Sequence, residues 1–199
     1  SPSAATVRLE AASATAQTGI VGTQATSPTV RALDAGGNPV RGIAVTFTAA
    51  SGAGGLGNSN LRIITDSNGQ ASAGQWFLGT TPGIQVVTAR SAGLNDVEFR
   101  ATVAVGPVAQ FARIAGDNQV AAAGDTLPVK LKVRAADAFN NPLAGVNISF
   151  AAATGSGSIQ VGEVVSDASG YAESGLWTLG PQAGVQQVTV QSGSARAAF

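Results

Sequence analysis

The sequence predicts an all-β protein made of two tandem β-sandwiches that hold together without disulfides. Three observations carry this prediction. The chain repeats itself at an offset of about 100 residues, apolar and polar residues alternate with period two, and turn residues recur at short spacings. No segment shows the i, i+3, i+4, i+7 apolar stripe of a helix.

The repeat is read directly from matched residues. Val30-Arg31-Ala32-Leu33-Asp34 returns as Val133-Arg134-Ala135-Ala136-Asp137, and Asn38-Pro39 returns as Asn141-Pro142. Thr65-Asp66-Ser67-Asn68-Gly69 returns as Ser166-Asp167-Ala168-Ser169-Gly170, Trp76 as Trp177, and Phe99 as Phe199. The offset slips by a few positions in Gly/Ser-rich stretches such as Gly52 to Asn60, where loop length varies at little entropic cost. Two units follow, residues 1–105 and 106–199, joined near Val105-Gly106-Pro107. That joint is too short for a flexible tether, so end-to-end domains with limited bending are expected.

In the first copy the expected strands are Val7–Ala11, Thr29–Asp34, the run through Ile43, Val45 and Phe47, Leu61–Thr65, the Trp76 strand, Ile84–Ala89 and Val97–Val103. In the second they are Gln110–Ile114, Lys130–Asp137, the run through Val146, Ile148 and Phe150, Glu163–Ser166, the Trp177 strand, Val185–Val190 and Ala195–Phe199. Positions kept apolar in both copies are expected inside: Val45/Ile148, Phe47/Phe150, Trp76/Trp177 and Leu78/Leu179. Positions that drift, such as Thr46/Ser149 and Phe77/Thr178, are expected outside or at a rim. Gly36-Gly37-Asn38-Pro39, Ser67-Asn68-Gly69 and Pro82-Gly83 supply the turns. About seven short strands per unit is the pattern of an immunoglobulin-like sandwich.

Composition narrows the chemistry. The 199 residues are 44% hydrophobic and only 11% charged, too apolar for a disordered chain. Eleven basic residues balance eleven acidic ones, so no net charge points to nucleic acid or an anionic membrane. Without Cys or His there is no thiol nucleophile, Ser-His-Asp triad, disulfide or usual zinc site. No run approaches the ~20 apolar residues of a membrane-spanning helix. The opening Ser1-Pro2-Ser3 has no signal-peptide pattern, and the chain reads as a segment cut from something longer.

The run from Asp34 to Phe47, with Asn38-Pro39-Val40, Gly42, Val45 and Phe47, resembles the bacterial Ig-like domain group 1, repeated along invasin- and intimin-type surface proteins. The second copy carries Asp137, Asn141-Pro142-Leu143, Gly145, Ile148 and Phe150, with Asn140 where the family has Gly. Thr65-Asp66, Gly69 and Ala71 match further, as do Ser166-Asp167, Gly170 and Ala172, and Gly124-Asp125-Thr126-Leu127-Pro128 resembles the entry to the family's second strand. The resemblance implies an extracellular or cell-surface stalk, spacer or adhesive module. Its partners would be neighbouring Ig-like repeats or other domains of a longer surface protein, with a protein or glycan receptor as a further partner.

Candidate sites are few. Asp34 and Asp137 precede Asn-Pro turns, and Asp66 and Asp167 precede glycines; turn hydrogen bonding explains them, with Ca²⁺ ligation as the sharper rival. Asp96 and Glu98 lie two apart on one strand face, the spacing of a conceivable glycosidase pair. Lys130, Lys132 and Arg134 share one face, either a solvated edge guard or a small patch for anionic polysaccharide. The run Gly52 to Gly57 lacks the Lys-Ser/Thr of a phosphate loop and reads as a flexible connection. No catalytic, cofactor or metal residue is assigned. The expected role is a non-enzymatic bacterial surface spacer. The alternatives are a binding module using Phe77, Phe139 or Leu56, or a subunit of a surface filament or envelope complex assembled through strand edges.

Overall fold

The computed structural model describes residues 7–57 and 62–199; Ser1-Pro2-Ser3, Leu61 and the Asn58 to Asn60 part of the Gly/Ser-rich stretch lie outside the described residues. The chain divides into two compact units, Ser1–Ala104 and Val105–Phe199. No helix is present among the described residues.

The first unit contains β1 (Arg8–Ala11), β2 (Ala16–Ile20), β3 (Gln24–Ala25), β4 (Thr29–Leu33), β5 (Ala44–Ala49), β6 (Gly55–Leu56), β7 (Arg62–Ile64), β8 (Gln70–Ser72), β9 (Trp76–Phe77), β10 (Gly83–Arg90) and β11 (Val97–Ala104). They form the sheets β1-β4-β8 and β2-β11-β10-β5-β7, with a small third sheet, β3-β9-β6. The second unit contains β12 (Gln110–Ala115), β13 (Lys132–Ala136), β14 (Asn147–Ala152), β15 (Ser158–Ile159), β16 (Glu163–Val165), β17 (Tyr171–Glu173), β18 (Trp177–Thr178), β19 (Val188–Ser192) and β20 (Ala195–Ala198). Its sheets are β12-β13-β17, β16-β14-β19-β20 and β15-β18. Each unit is a disulfide-free, immunoglobulin-like sandwich.

The period-two pattern decides which side chains enter the core. Val45 and Phe47 of β5 are buried while Thr46 and Thr48 are exposed; in β14, Ile148 and Phe150 are buried and Asn147 is exposed. Burying a side chain of this size stabilises by roughly 1.5–3 kcal/mol, so the alternation fixes the register of each strand. Trp76, Phe47 and Phe99 are fully enclosed in the first core. Trp177 and Phe150 hold the matching places in the second, with Leu131 and Ile148. Phe77 lies outward, and Thr178 and Leu179 lie at a rim.

The run Gly52 to Gly57, expected to be a flexible connection, and its counterpart in the second unit each satisfy the N–H of a buried indole. Trp76 Nε1 donates to Ala53 O at 2.8 Å and Trp177 Nε1 to Ser156 O at 2.6 Å. To come that close, the loop passes through a glycine in the left-handed region, Gly54 at φ +78° and Gly157 at φ +77°. A Cβ there would fall on the carbonyl oxygen of Phe77 or Thr178. The run Gly52 to Gly57 is therefore drawn into the fold, and its Gly55–Leu56 pairs with β9.

The units differ at one edge. In the first, β11 runs past Phe99 and Arg100–Ala104 lie between β10 on one side and a parallel β2 on the other. In the second, Phe199 occupies the place of Phe99, exchanging backbone hydrogen bonds of 2.9 and 3.1 Å with Val188. The strand expected over Val185–Val190 begins only at Val188, where pairing with the last strand begins, because a strand is defined by its partner as much as by its own alternation. For the same reason residues 118–122, equivalent to β2, form no strand.

Candidate functional site

The four turn aspartates are hydrogen-bond hubs. Asp34 Oδ1 accepts from the backbone N–H groups of Gly36 at 2.9 Å and Asn38 at 2.8 Å, and both its oxygens lie near the Asn38 amide. Asp137 Oδ1 accepts from Phe139 and Asn141, both at 2.9 Å, while its Oδ2 accepts from Gly106 N at 3.0 Å and Asn141 Nδ2 at 2.9 Å. Asp66 and Asp167 repeat the pattern one turn later, each taking two backbone donors through Oδ1. Every one of these sites is an Asx turn closing a loop between strands.

Hydrogen bonding favours the ionised form of the two leading aspartates. The Asn38 backbone and side chain hold the Asp34 carboxyl below its ordinary 3.8. Full burial pushes Asp137 upward, but the Asn141 amide and the backbone donors of Gly106, Asn141 and Phe139 outweigh it, so its pKa too lies below the ordinary value. Among the described residues, no group of three or more acidic side chains is placed to hold a metal ion.

Asp96 and Glu98 are each taken by a different arginine. Arg90 Nε meets Asp96 at 2.9 Å and Arg100 Nη2 meets Glu98 at 2.6 Å, both on the solvated surface. The basic row is likewise partnered within its own unit. Lys130 pairs with Glu173 at 3.3 Å, Lys132 stands 5.1 Å from the centre of the Tyr171 ring, and Arg134 donates to Asn140 Oδ1 at 3.1 Å. Phe77 and Phe139 are exposed at 40% and 45%, and Leu56 is half-buried.

Two features escaped sequence reasoning. The Gln85 side chain is buried and accepts from Gly79 N at 2.8 Å while donating to Thr81 O at 2.9 Å; Gln186 repeats this at Gly180 and Gln182. Gln17 clamps the backbone of Thr26, and Gln119 that of Val129. A glutamine kept at the same place in both copies was the available signal.

The family model described as bacterial Ig-like domain (group 1) matches residues 4–105. No curated protein matches the chain. Among solved structures, the Escherichia coli adhesin FdeC is 23% identical, with 92% of this chain and 58% of that one covered and a TM-score of 0.51. The Yersinia pseudotuberculosis adhesin InvE is 20% identical, with 97% of this chain and 57% of that one covered and a TM-score of 0.44. The D00-D0 domain of intimin is 14% identical, covering 97% and 96%, with a TM-score of 0.47. This chain thus spans less than two thirds of the length of the two adhesin chains, and the likeness to FdeC is one of fold.

Proposed function

The chain belongs to the bacterial Ig-like domain (group 1) family, and from that premise we propose that it is a non-catalytic spacer segment of an adhesin-type protein at the bacterial cell surface. The observation that carries this reading is where the polar groups of the two units go. Their aspartates close loops, their basic row meets neighbouring side chains, and the acids Asp96 and Glu98 meet arginines. What remains is a pair of sandwiches whose hydrogen bonds and cores resist deformation, suited to holding other domains at a distance. Its partners are then neighbouring Ig-like repeats or other domains of a longer surface protein. No helix among the described residues is long and apolar enough to cross a membrane.

The test is a binding assay with the immobilised chain against host extracellular proteins and a glycan panel. A spacer captures no more than an unrelated sandwich does. Saturable capture that Phe77→Ser or Phe139→Ser abolishes contradicts the spacer role and makes the chain a binding module.

A further inference from the structure

On the outward face of the second unit's sheet β16-β14-β19-β20, one row of side chains crosses all four strands. Glu163 of β16 stands opposite Ser149 of β14, Ser149 opposite Gln191 of β19, and Gln191 opposite Arg196 of β20. The alternation that buries Ile148, Phe150, Val188 and Val190 turns this row away from the core. The row lines a groove of about 620 Å³. Small side chains, Ser149 and Ala151, lie on the inner strand β14, and the long Glu163 and Arg196 lie on the two outer strands.

The two charges do not neutralise each other. Three strand spacings, roughly 14 Å, separate them. Among the described residues, none of the four side chains has a hydrogen bond or ion pair. The first unit treats the equivalent row differently. There Arg62 stands opposite Thr46 and Thr46 opposite Arg90, and Arg90 is taken by Asp96 at 2.9 Å. In the second unit the order is acid, hydroxyl, amide, base. Turned end for end, that order is its own complement. A two-fold axis running along the strands, midway between β14 and β19, brings Glu163 of one copy to Arg196 of the other and Ser149 to Gln191, each contact made twice.

We propose that this face is a self-association surface, and that its occupant is the same face of a second copy of the chain. Charge complementarity is what picks that occupant, since a like row reversed meets every group with its opposite. Sheets packed face to face lie about 10 Å apart. Small residues at the middle of the row permit that approach, and the longer Glu163 and Arg196 span the gap at its two ends. Four strands and about five residues of rise give a footprint of roughly 300 Å² per copy, against the ~800 Å² per partner of a stable complex. The dimer is therefore weak and closes at two copies. Its ion pairs lie at the rim, so salt dissociates it. The proposal is independent of the spacer role, because it concerns copies of this chain and not a receptor.

The experiment is sedimentation equilibrium of the full chain, from micromolar to millimolar concentration, at low and at high salt. The unmodified chain passes from monomer to dimer at low salt and returns to monomer at high salt. E163R sets arginine against arginine at both ends of the row, and R196E sets glutamate against glutamate. Each weakens association about tenfold or more. An equal mixture of the two single variants associates again, because each then meets its opposite charge at both ends, and the double variant E163R/R196E associates by itself. That rescue also shows that the single variants are folded. A chain that stays monomeric at millimolar concentration and low salt overturns the proposal. So do single variants that associate like the unmodified chain, a mixture that stays monomeric, and polymers larger than a dimer, which would assign association to strand edges.

Discussion

The two units share their buried tryptophans, aspartate turns and glutamine clamps, yet the first has a five-stranded sheet where the second has four strands. Gly83-Ile84-Gln85-Val86 is strand, and the matching Gly184-Val185-Gln186-Gln187 is not. The local sequences are nearly interchangeable, with a conserved glutamine side chain bonded the same way in both. What differs is the pairing: Gly83–Val86 pair with Arg100–Val103, and no described strand pairs with residues 184–186. Strand state here is a property of pairing, and burial of the core around it survives the loss of one partner.

Substitutions at the buried tryptophans should break the comparison most strongly. Trp76→Ala should cost the first unit about 3–5 kcal/mol, and Trp177→Ala the second unit an amount at the lower end of that range, because Trp177 is slightly less enclosed than the fully buried Trp76. Thermal melts should show one unit unfolding early and the other unaffected in each variant. Equal losses would mean the second core is as tightly closed around its tryptophan as the first.

The glycines beneath the indoles should behave alike in both units. Gly54→Ala and Gly157→Ala place a Cβ on a carbonyl oxygen at a left-handed position, so each should destabilise its own unit by roughly 1–3 kcal/mol in a denaturant titration.

The turn aspartates should separate the units again. Asp137 is fully buried and serves four donors, so Asp137→Ala should cost about 1–3 kcal/mol, and Asp34→Ala, at an exposed turn, distinctly less. Both folded-state pKa values lie below the ordinary 3.8. Their stabilisation is therefore present above that value and lost as pH falls through the lower, folded one. Acid titration of Asp137→Asn should show a weaker loss of stability in that window than the parent chain. Lys130→Ala, which removes an exposed pair with Glu173, should change stability by about 0–1 kcal/mol.

The core strands were legible because burial repeats with period two: Val45, Phe47, Ile148 and Phe150 announce their own orientation. The turns were legible because Asp followed by Asn-Pro or Gly has one common use. Less visible was β2, whose Ala16-Gln17-Thr18-Gly19-Ile20 carries no apolar alternation and forms a strand only through its parallel pairing with β11. Two-residue elements such as Gly55–Leu56 lie below any periodicity.

The most direct test of the pairing account is residue-resolved amide exchange on the unmodified chain. The account predicts protection of Gln17–Ile20 and Gly83–Val86 in the first unit, and fast exchange of residues 119–122 and Gly184–Gln186 in the second. Equal protection of the two sets would contradict it.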